Sequence, residues 1–113
     1  MTPQRARRVF GVETEYGLVG RRAGARGTRL SGGEAAQWLF TPIEREHASS
    51  NVFLRNGGRL YLDVGSHPEY ATAECATVDD LLVHERAGDE LVTRLARRAE
   101  ADAAEQGEPV ELR

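Results

Sequence analysis

Arg59, Tyr61 and Asp63 stand at alternate positions in the run Arg59-Leu60-Tyr61-Leu62-Asp63-Val64. Side chains alternate across a strand, so these three share one face while Leu60, Leu62 and Val64 share the other. The apolar trio suits a core. The polar trio presents a guanidinium, a phenol and a carboxylate to whatever lies in front of the sheet. A solvated strand face would carry the same residues; a second acidic segment, Val12-Glu13-Thr14-Glu15-Tyr16, sharpens the reading. Carboxylates gathered at 4 Å repel by about 4 kcal/mol per pair at a surface-like dielectric, so a concave acidic face calls for cations. Oxygen ligands favour hard divalent ions over zinc. Arg59 adds a fork for phosphate oxygens. Carboxylates, magnesium and an arginine are the components of phosphoryl transfer.

The elements that must hold these groups can be read along the chain. Val9 to Tyr16 alternates as a strand, with Glu13 and Glu15 on one side. Arg21 to Leu30, rich in Gly and Arg, reads as a loop. Ser31-Gly32-Gly33-Glu34 has capping-box spacing and opens a short helix through Ala35, Ala36, Trp38 and Leu39. Pro42 predicts its end near Phe40, because the residue before proline avoids helical angles. Val52-Phe53-Leu54-Arg55 meets Arg59-Leu60-Tyr61-Leu62 across Asn56-Gly57, a strong hairpin signal; Gly58 marks a bulge or a close backbone approach. His67 reads as a turn residue before Pro68, with Tyr70 to Cys75 extended beyond. Thr77 caps the longest helix, whose apolar stripe runs Leu81, Leu82, Gly88, Leu91, Val92, Leu95 and Ala99. Gly107 and Pro109 end it, and Val110 to Arg113 opens another strand. Hairpin pairing implies an antiparallel sheet with helices packed on one face, an α+β plan. Its open face would carry Glu13, Glu15, Arg59, Tyr61 and Asp63.

Composition narrows the function classes. The chain has 113 residues, 40% hydrophobic and 29% charged, with a net charge of -3. That gives no basic footprint for nucleic acid, and no apolar run approaches a membrane span. Cys75, the lone cysteine, excludes an internal disulfide and a cysteine-only metal site. The expected location is the cytoplasm. Trp38, Phe40 and Cys75 read as packing residues, Arg55 and the row Arg94, Arg97 and Arg98 as solvated faces; Glu15 stays open between ligand and surface charge.

The segments Gly11-Val12-Glu13-Thr14-Glu15-Tyr16-Gly17, Ser50 to Gly57 and Arg59 to Cys75, extended through His84-Glu85-Arg86-Ala87-Gly88, resemble the amino-terminal part of the Pup ligases. Those enzymes belong to the carboxylate–amine ligase superfamily, related in fold to glutamine synthetase. The resemblance implies ATP-dependent attachment of the small protein Pup to lysines of target proteins, marking them for proteasomal degradation. ATP phosphorylates the side-chain carboxylate of Pup's terminal glutamate, and the lysine amine then attacks. Position by position, it places Glu13, Tyr61 and Glu69 at magnesium sites, Arg59 and Thr72 on ATP, and Asp63 as the base that accepts the lysine proton. Parity puts Thr72 on the face opposite Glu69, so either the strand is irregular there or Thr72 acts through its backbone. Depupylases share this fold and ATP site, but the short interval from Gly17 to Ser50 fits the ligases better.

Family enzymes are several times longer. Residues 1–113 are therefore expected to be the amino-terminal part of a catalytic domain: a fragment, a truncated gene product or half of a split enzyme. Such a chain would be inactive alone, with a complementary carboxyl-terminal chain as a candidate partner. Depupylation or deamidation of Pup and a non-catalytic nucleotide- or partner-binding role are the alternatives. All fifteen cationic residues are arginine. A GC-rich genome accounts for that, and an enzyme that modifies lysines would also gain by having none.

Overall fold

A computed structural model describes residues 7–24, 27–63 and 65–113. The elements run β1 (Glu13–Glu15), β2 (Gly20–Arg22), α1 (Gly32–His47), β3 (Asn51–Phe53), β4 (Arg59–Asp63), β5 (His67–Ala71), α2 (Val78–Glu105) and β6 (Val110–Leu112). An antiparallel sheet has the order β1-β5-β4-β3, and β2 pairs with β6 in a separate ribbon. The α+β plan holds: both helices contribute to one core with the sheet's inner residues, Leu60 and Tyr70 among them, and both of these are fully buried. Among the described residues no helix is long and apolar enough to cross a membrane.

The hairpin turns at the expected place by a different geometry. Gly57 N–H donates to the Leu54 carbonyl at 3.0 Å, and only Gly57 has positive φ (+85°), not Asn56. This fits a three-residue loop closed by a left-handed glycine rather than a two-residue primed turn. Asn56 instead accepts from Gly58 N–H at 2.8 Å and donates to the Tyr70 hydroxyl at 2.9 Å. Gly58 is the close approach: a Cβ there would lie 2.8 Å from the Tyr70 hydroxyl.

Three expectations fail for physical reasons. α1 does not stop near Phe40 but carries Pro42 inside it and runs to His47, with Ala48 as a left-handed cap. An interior proline costs about 3 kcal/mol. Here its ring is fully buried, and the Thr41 hydroxyl donates to the Gln37 carbonyl at 2.6 Å. His67 is not a turn residue but the first residue of β5, and Pro68 follows inside the strand. Pro68 accepts from Tyr16 N–H at 2.8 Å, so its missing donor lies at the end of β1 and costs the ladder one terminal bond. The supposed Gly/Arg loop contributes β2: Gly20 is buried where a Cβ would press on Leu30 and Ala35 at 3.0 Å, while Arg21 and Arg22 face outward. Leu82 also departs from the stripe. It is half exposed, and the buried face of α2 begins at Gly88.

The capping box is formed, with Ser31 Oγ accepting from Glu34 N–H at 3.1 Å and Glu34 Oε1 from Ser31 N–H at 3.2 Å. Ser31→Ala is expected to lower stability by about 1 kcal/mol, read as the shift in a urea-unfolding midpoint at unchanged slope.

Candidate functional site

Register decides which side chains meet, because directly opposed residues of an antiparallel pair project to the same face. One row across the sheet is Glu13, Ala71, Arg59 and Phe53; the next is Glu15, Glu69, Tyr61 and Asn51; His67 and Asp63 oppose each other at the hairpin end. All lie on the face opposite Leu60 and Tyr70, away from the helices. The strand parity read from the sequence thus holds for Arg59, Tyr61 and Asp63, and for Leu60 and Leu62; Val64 lies outside the described residues.

Tyr61 and Glu69 form the inner part of this face, each only 8% exposed. The Tyr61 hydroxyl donates to Glu69 Oε2. Arg59 stacks on the Tyr61 ring, 3.9 Å from its centroid, and its Nε donates to Asn51 Oδ1 at 2.7 Å. Asn51 was not singled out from the sequence; extending the hairpin pairing by one residue places it opposite Tyr61. Glu13 and Asp63 are exposed. Asp63 ends β4, and its carbonyl accepts Ser66 N–H at 3.1 Å in the turn to β5. Glu15 is held by His67, whose Nδ1 meets Glu15 Oε1.

Thr72 lies just past β5 and continues the register of Glu13 and Ala71, opposite Val12. Its N–H donates to the Val12 carbonyl at 2.9 Å, while its hydroxyl accepts from Val12 N–H at 3.0 Å, replacing its own carbonyl in the ladder. By Phe10 and Cys75 the register has slipped by one residue, as at a bulge. Accepting one amide leaves a threonine hydroxyl its own hydrogen to donate.

The Tyr61 phenol is pushed up to about 12, first by its hydrogen bond to Glu69, then by desolvation and by the charges of Glu69 and Glu13; Arg59 pulls the other way. Because the fold holds this proton more tightly than the unfolded chain does, the contribution of the un-ionised phenol to stability is fully present below pH 10 and is lost as pH climbs through about 12. Glu69→Gln is expected to return the Tyr61 transition toward pH 10, seen as earlier phenolate absorbance in an ultraviolet titration.

The donor set suits a hard cation. Glu13 and Glu69 offer carboxylate oxygens and Tyr61 a phenol, while magnesium characteristically takes one or two protein carboxylates and fills its shell with phosphate and water. Among the described residues no three His, Cys, Asp or Glu side chains close on a common point. A cavity of about 380 Å³ lies on the helix side, lined by Tyr16, Leu39, Pro68, Asp89, Ala96 and Leu112 among others, and contains none of these groups. There burial and the 2.7 Å bond to Asp89 raise the Tyr16 phenol strongly.

Comparison with known proteins agrees with this architecture. The family model described as Pup-ligase protein matches residues 8–112. A Pup--protein ligase of Corynebacterium diphtheriae is 54% identical over 101 residues, covering 89% of this chain and 21% of the relative. One of Acidimicrobium ferrooxidans is 51% identical over 105 residues, covering 93% of this chain and 23% of the relative. A crystal structure of the complex between the prokaryotic ubiquitin-like protein Pup and its ligase PafA superposes with a TM-score of 0.82 at 44% identity, covering 94% of this chain and 21% of that one. A structure of the Pup ligase PafA in complex with ADP matches at a TM-score of 0.50 and 45% identity, covering 95% of this chain and 21% of that one. The chain thus spans about a fifth of the length of these relatives. On its sequence and its fold, the chain belongs to the Pup-ligase family.

Proposed function

We propose that this sheet face is part of the active site of an ATP-dependent ligase that joins the terminal glutamate of Pup to lysine amines of target proteins. The observation that carries the reading is a single face holding Glu13, Glu69 and Tyr61 beside Arg59, with Asp63 at its rim. The likeness to a ligase solved with Pup, and to one solved with ADP, supports the same assignment. Glu13, Tyr61 and Glu69 hold magnesium, which screens the charge of the nucleotide phosphates. Arg59, braced by Asn51 and Tyr61, binds phosphate oxygens; Thr72 contributes a hydroxyl donor to ATP.

In the first step an oxygen of the glutamate carboxylate attacks the terminal phosphorus of ATP, giving an acyl phosphate and ADP. In the second the lysine ammonium gives one proton to Asp63, the freed nitrogen lone pair attacks the acyl carbon, the carbon–oxygen bond to phosphate breaks, and the phosphate leaves with the second surplus proton of the nitrogen. A lysine amine is protonated near neutrality, with a pKa of about 10.4, so a carboxylate acceptor at the point of attack is a chemical requirement. Activity requires the remainder of the catalytic domain. The reaction itself belongs in the cytoplasm, where ATP and target proteins are at hand.

The test is a chimera in which residues 8–112 replace the matching segment of the C. diphtheriae ligase. With Pup, ATP, magnesium and a lysine-bearing protein it is expected to form isopeptide conjugates. Release of a preformed conjugate without new transfer would instead assign the face to a depupylase, and neither activity would leave a binding role alone.

A further inference from the structure

We propose that Asn51 is a positioning residue for nucleotide binding: it holds the Arg59 guanidinium by Nε, so that phosphate oxygens are taken end-on, by Nη1 and Nη2 together. The inference rests on the ligase reading above and deepens it. A guanidinium carries five N–H donors and no acceptor. It can grip a phosphate side-on, through Nε and one terminal nitrogen, or end-on, through both terminal nitrogens. Here Nε is already engaged, donating to Asn51 Oδ1 at 2.7 Å. Asn51 opposes Tyr61 from the edge strand β3, and Arg59 stands two residues before Tyr61, so the bond runs diagonally across the β3–β4 ladder.

Two rings complete the support. The guanidinium carbon lies 3.9 Å from the centroid of Tyr61, whose hydroxyl is tied to Glu69. It lies 5.8 Å from the centroid of Phe53, directly across the ladder. Both distances are within cation–π range. Among the described residues no carboxylate pairs with Arg59, so its charge is not cancelled within the chain. The neutrality of the Asn51 amide matters for the same reason. A carboxylate in its place would fix Nε equally well but would offset the charge that draws phosphate. A free arginine must be ordered by its ligand, which weakens binding by about fivefold; here the fold orders it in advance.

The test measures binding of magnesium adenylyl imidodiphosphate, a non-hydrolysable ATP analogue, to the chimera by calorimetry. Arg59→Ala is expected to weaken binding about a hundredfold, the loss of two hydrogen bonds to a charged group. Asn51→Ala is expected to weaken it about fivefold, yet to add nothing when Arg59 is already alanine, because it acts through Arg59. In nitrogen NMR the Arg59 Nε–H should be protected from exchange before nucleotide is added, and Asn51→Ala should remove that protection. Activation is read separately with hydroxylamine, which attacks the acyl phosphate to give a hydroxamate and inorganic phosphate. There Asn51→Ala should raise the KM for ATP by the same factor with kcat held. The fold should survive, since the Asn51 side chain is exposed and the Ser49 hydroxyl bonds only its main chain, at 3.1 and 3.2 Å. Unchanged affinity in Asn51→Ala overturns the proposal. So do losses that add in the double variant, which would put Asn51 on the nucleotide itself, and an Nε–H protected only once nucleotide is present, which would mean a side-on grip. A chimera that binds no nucleotide, or one indifferent to Arg59→Ala, is a different result; it removes the nucleotide site of the ligase reading and this inference with it.

Discussion

Asp63→Ala in the chimera is expected to lower lysine conjugation by about 10²–10⁴-fold, the usual contribution of a positioned general base, while hydroxylamine continues to trap the activated carboxylate. The second half of that expectation follows from position. Asp63 lies at the rim of the face, beyond the Tyr61–Glu69 pair and Arg59 to which the proposal assigns magnesium and phosphate, so on that proposal its loss leaves activation intact. Asp63→Asn should behave like alanine, because an amide keeps the shape but cannot take the proton. Misfolding is a poor rival explanation. The side chain is exposed, and the turn bond from Ser66 goes to the Asp63 backbone carbonyl, which survives either substitution. Exposed positions of this kind change stability by about 0.5 kcal/mol or less. Conjugation at an undiminished rate in both variants would remove Asp63 from the chemistry.

The site was legible in the sequence to the extent that strand parity governs it. Arg59, Tyr61 and Asp63 fell on one face because alternation is a property of the backbone, and Glu13 joined them because β1 pairs in register with β5. The pattern could not show which groups are tied to one another. Glu15 looked equivalent to Glu13 until β5 brought His67 against it. Parity set Thr72 opposite Glu69, and the register slip near Cys75, with the Thr72 hydroxyl standing in for a ladder carbonyl, is a tertiary event without local signature. Pro42 misled for a similar reason. A proline's local preference ends helices, but here the ring is fully buried and the helix runs on to His47. The β2–β6 ribbon pairs residues from near the two ends of the chain, Gly20 with Leu112 and Arg22 with Val110, and no periodicity in Gly20-Arg21-Arg22 announces it.

The larger effect on stability is expected from a residue remote from the chemistry, Gly88. A Cβ at this position of α2 would lie 2.2 Å from Cδ1 of Tyr70 and 2.6 Å from Cε1, far inside contact distance. The ring has nowhere to go: Tyr70 is fully buried, its hydroxyl accepts from Asn56, and Gly58 closes over it. Gly88→Ala must therefore push α2 off the sheet or displace β5. Alanine gains about 1 kcal/mol in helix propensity, which opposes the clash. Overpacking a tight core costs about 1–3 kcal/mol and more against a rigid group, so a net loss of about 2 kcal/mol is expected, seen as a fall in Tm. Gly33→Ala is the matched control, since a Cβ there meets nothing nearer than Ser66 Oγ at 3.8 Å, and its Tm should hold or rise. The consequence reaches the site because β5 has two faces. Tyr70 packs on the helix while its neighbours Glu69 and Ala71 belong to the rows of the proposed site, so a displaced Tyr70 carries the Glu69 carboxylate with it. In the chimera Gly88→Ala should then depress hydroxamate formation and conjugation together, unlike Asp63→Ala, which separates them. A variant that melts like the parent would show that α2 does not approach β5 as closely as the packing requires.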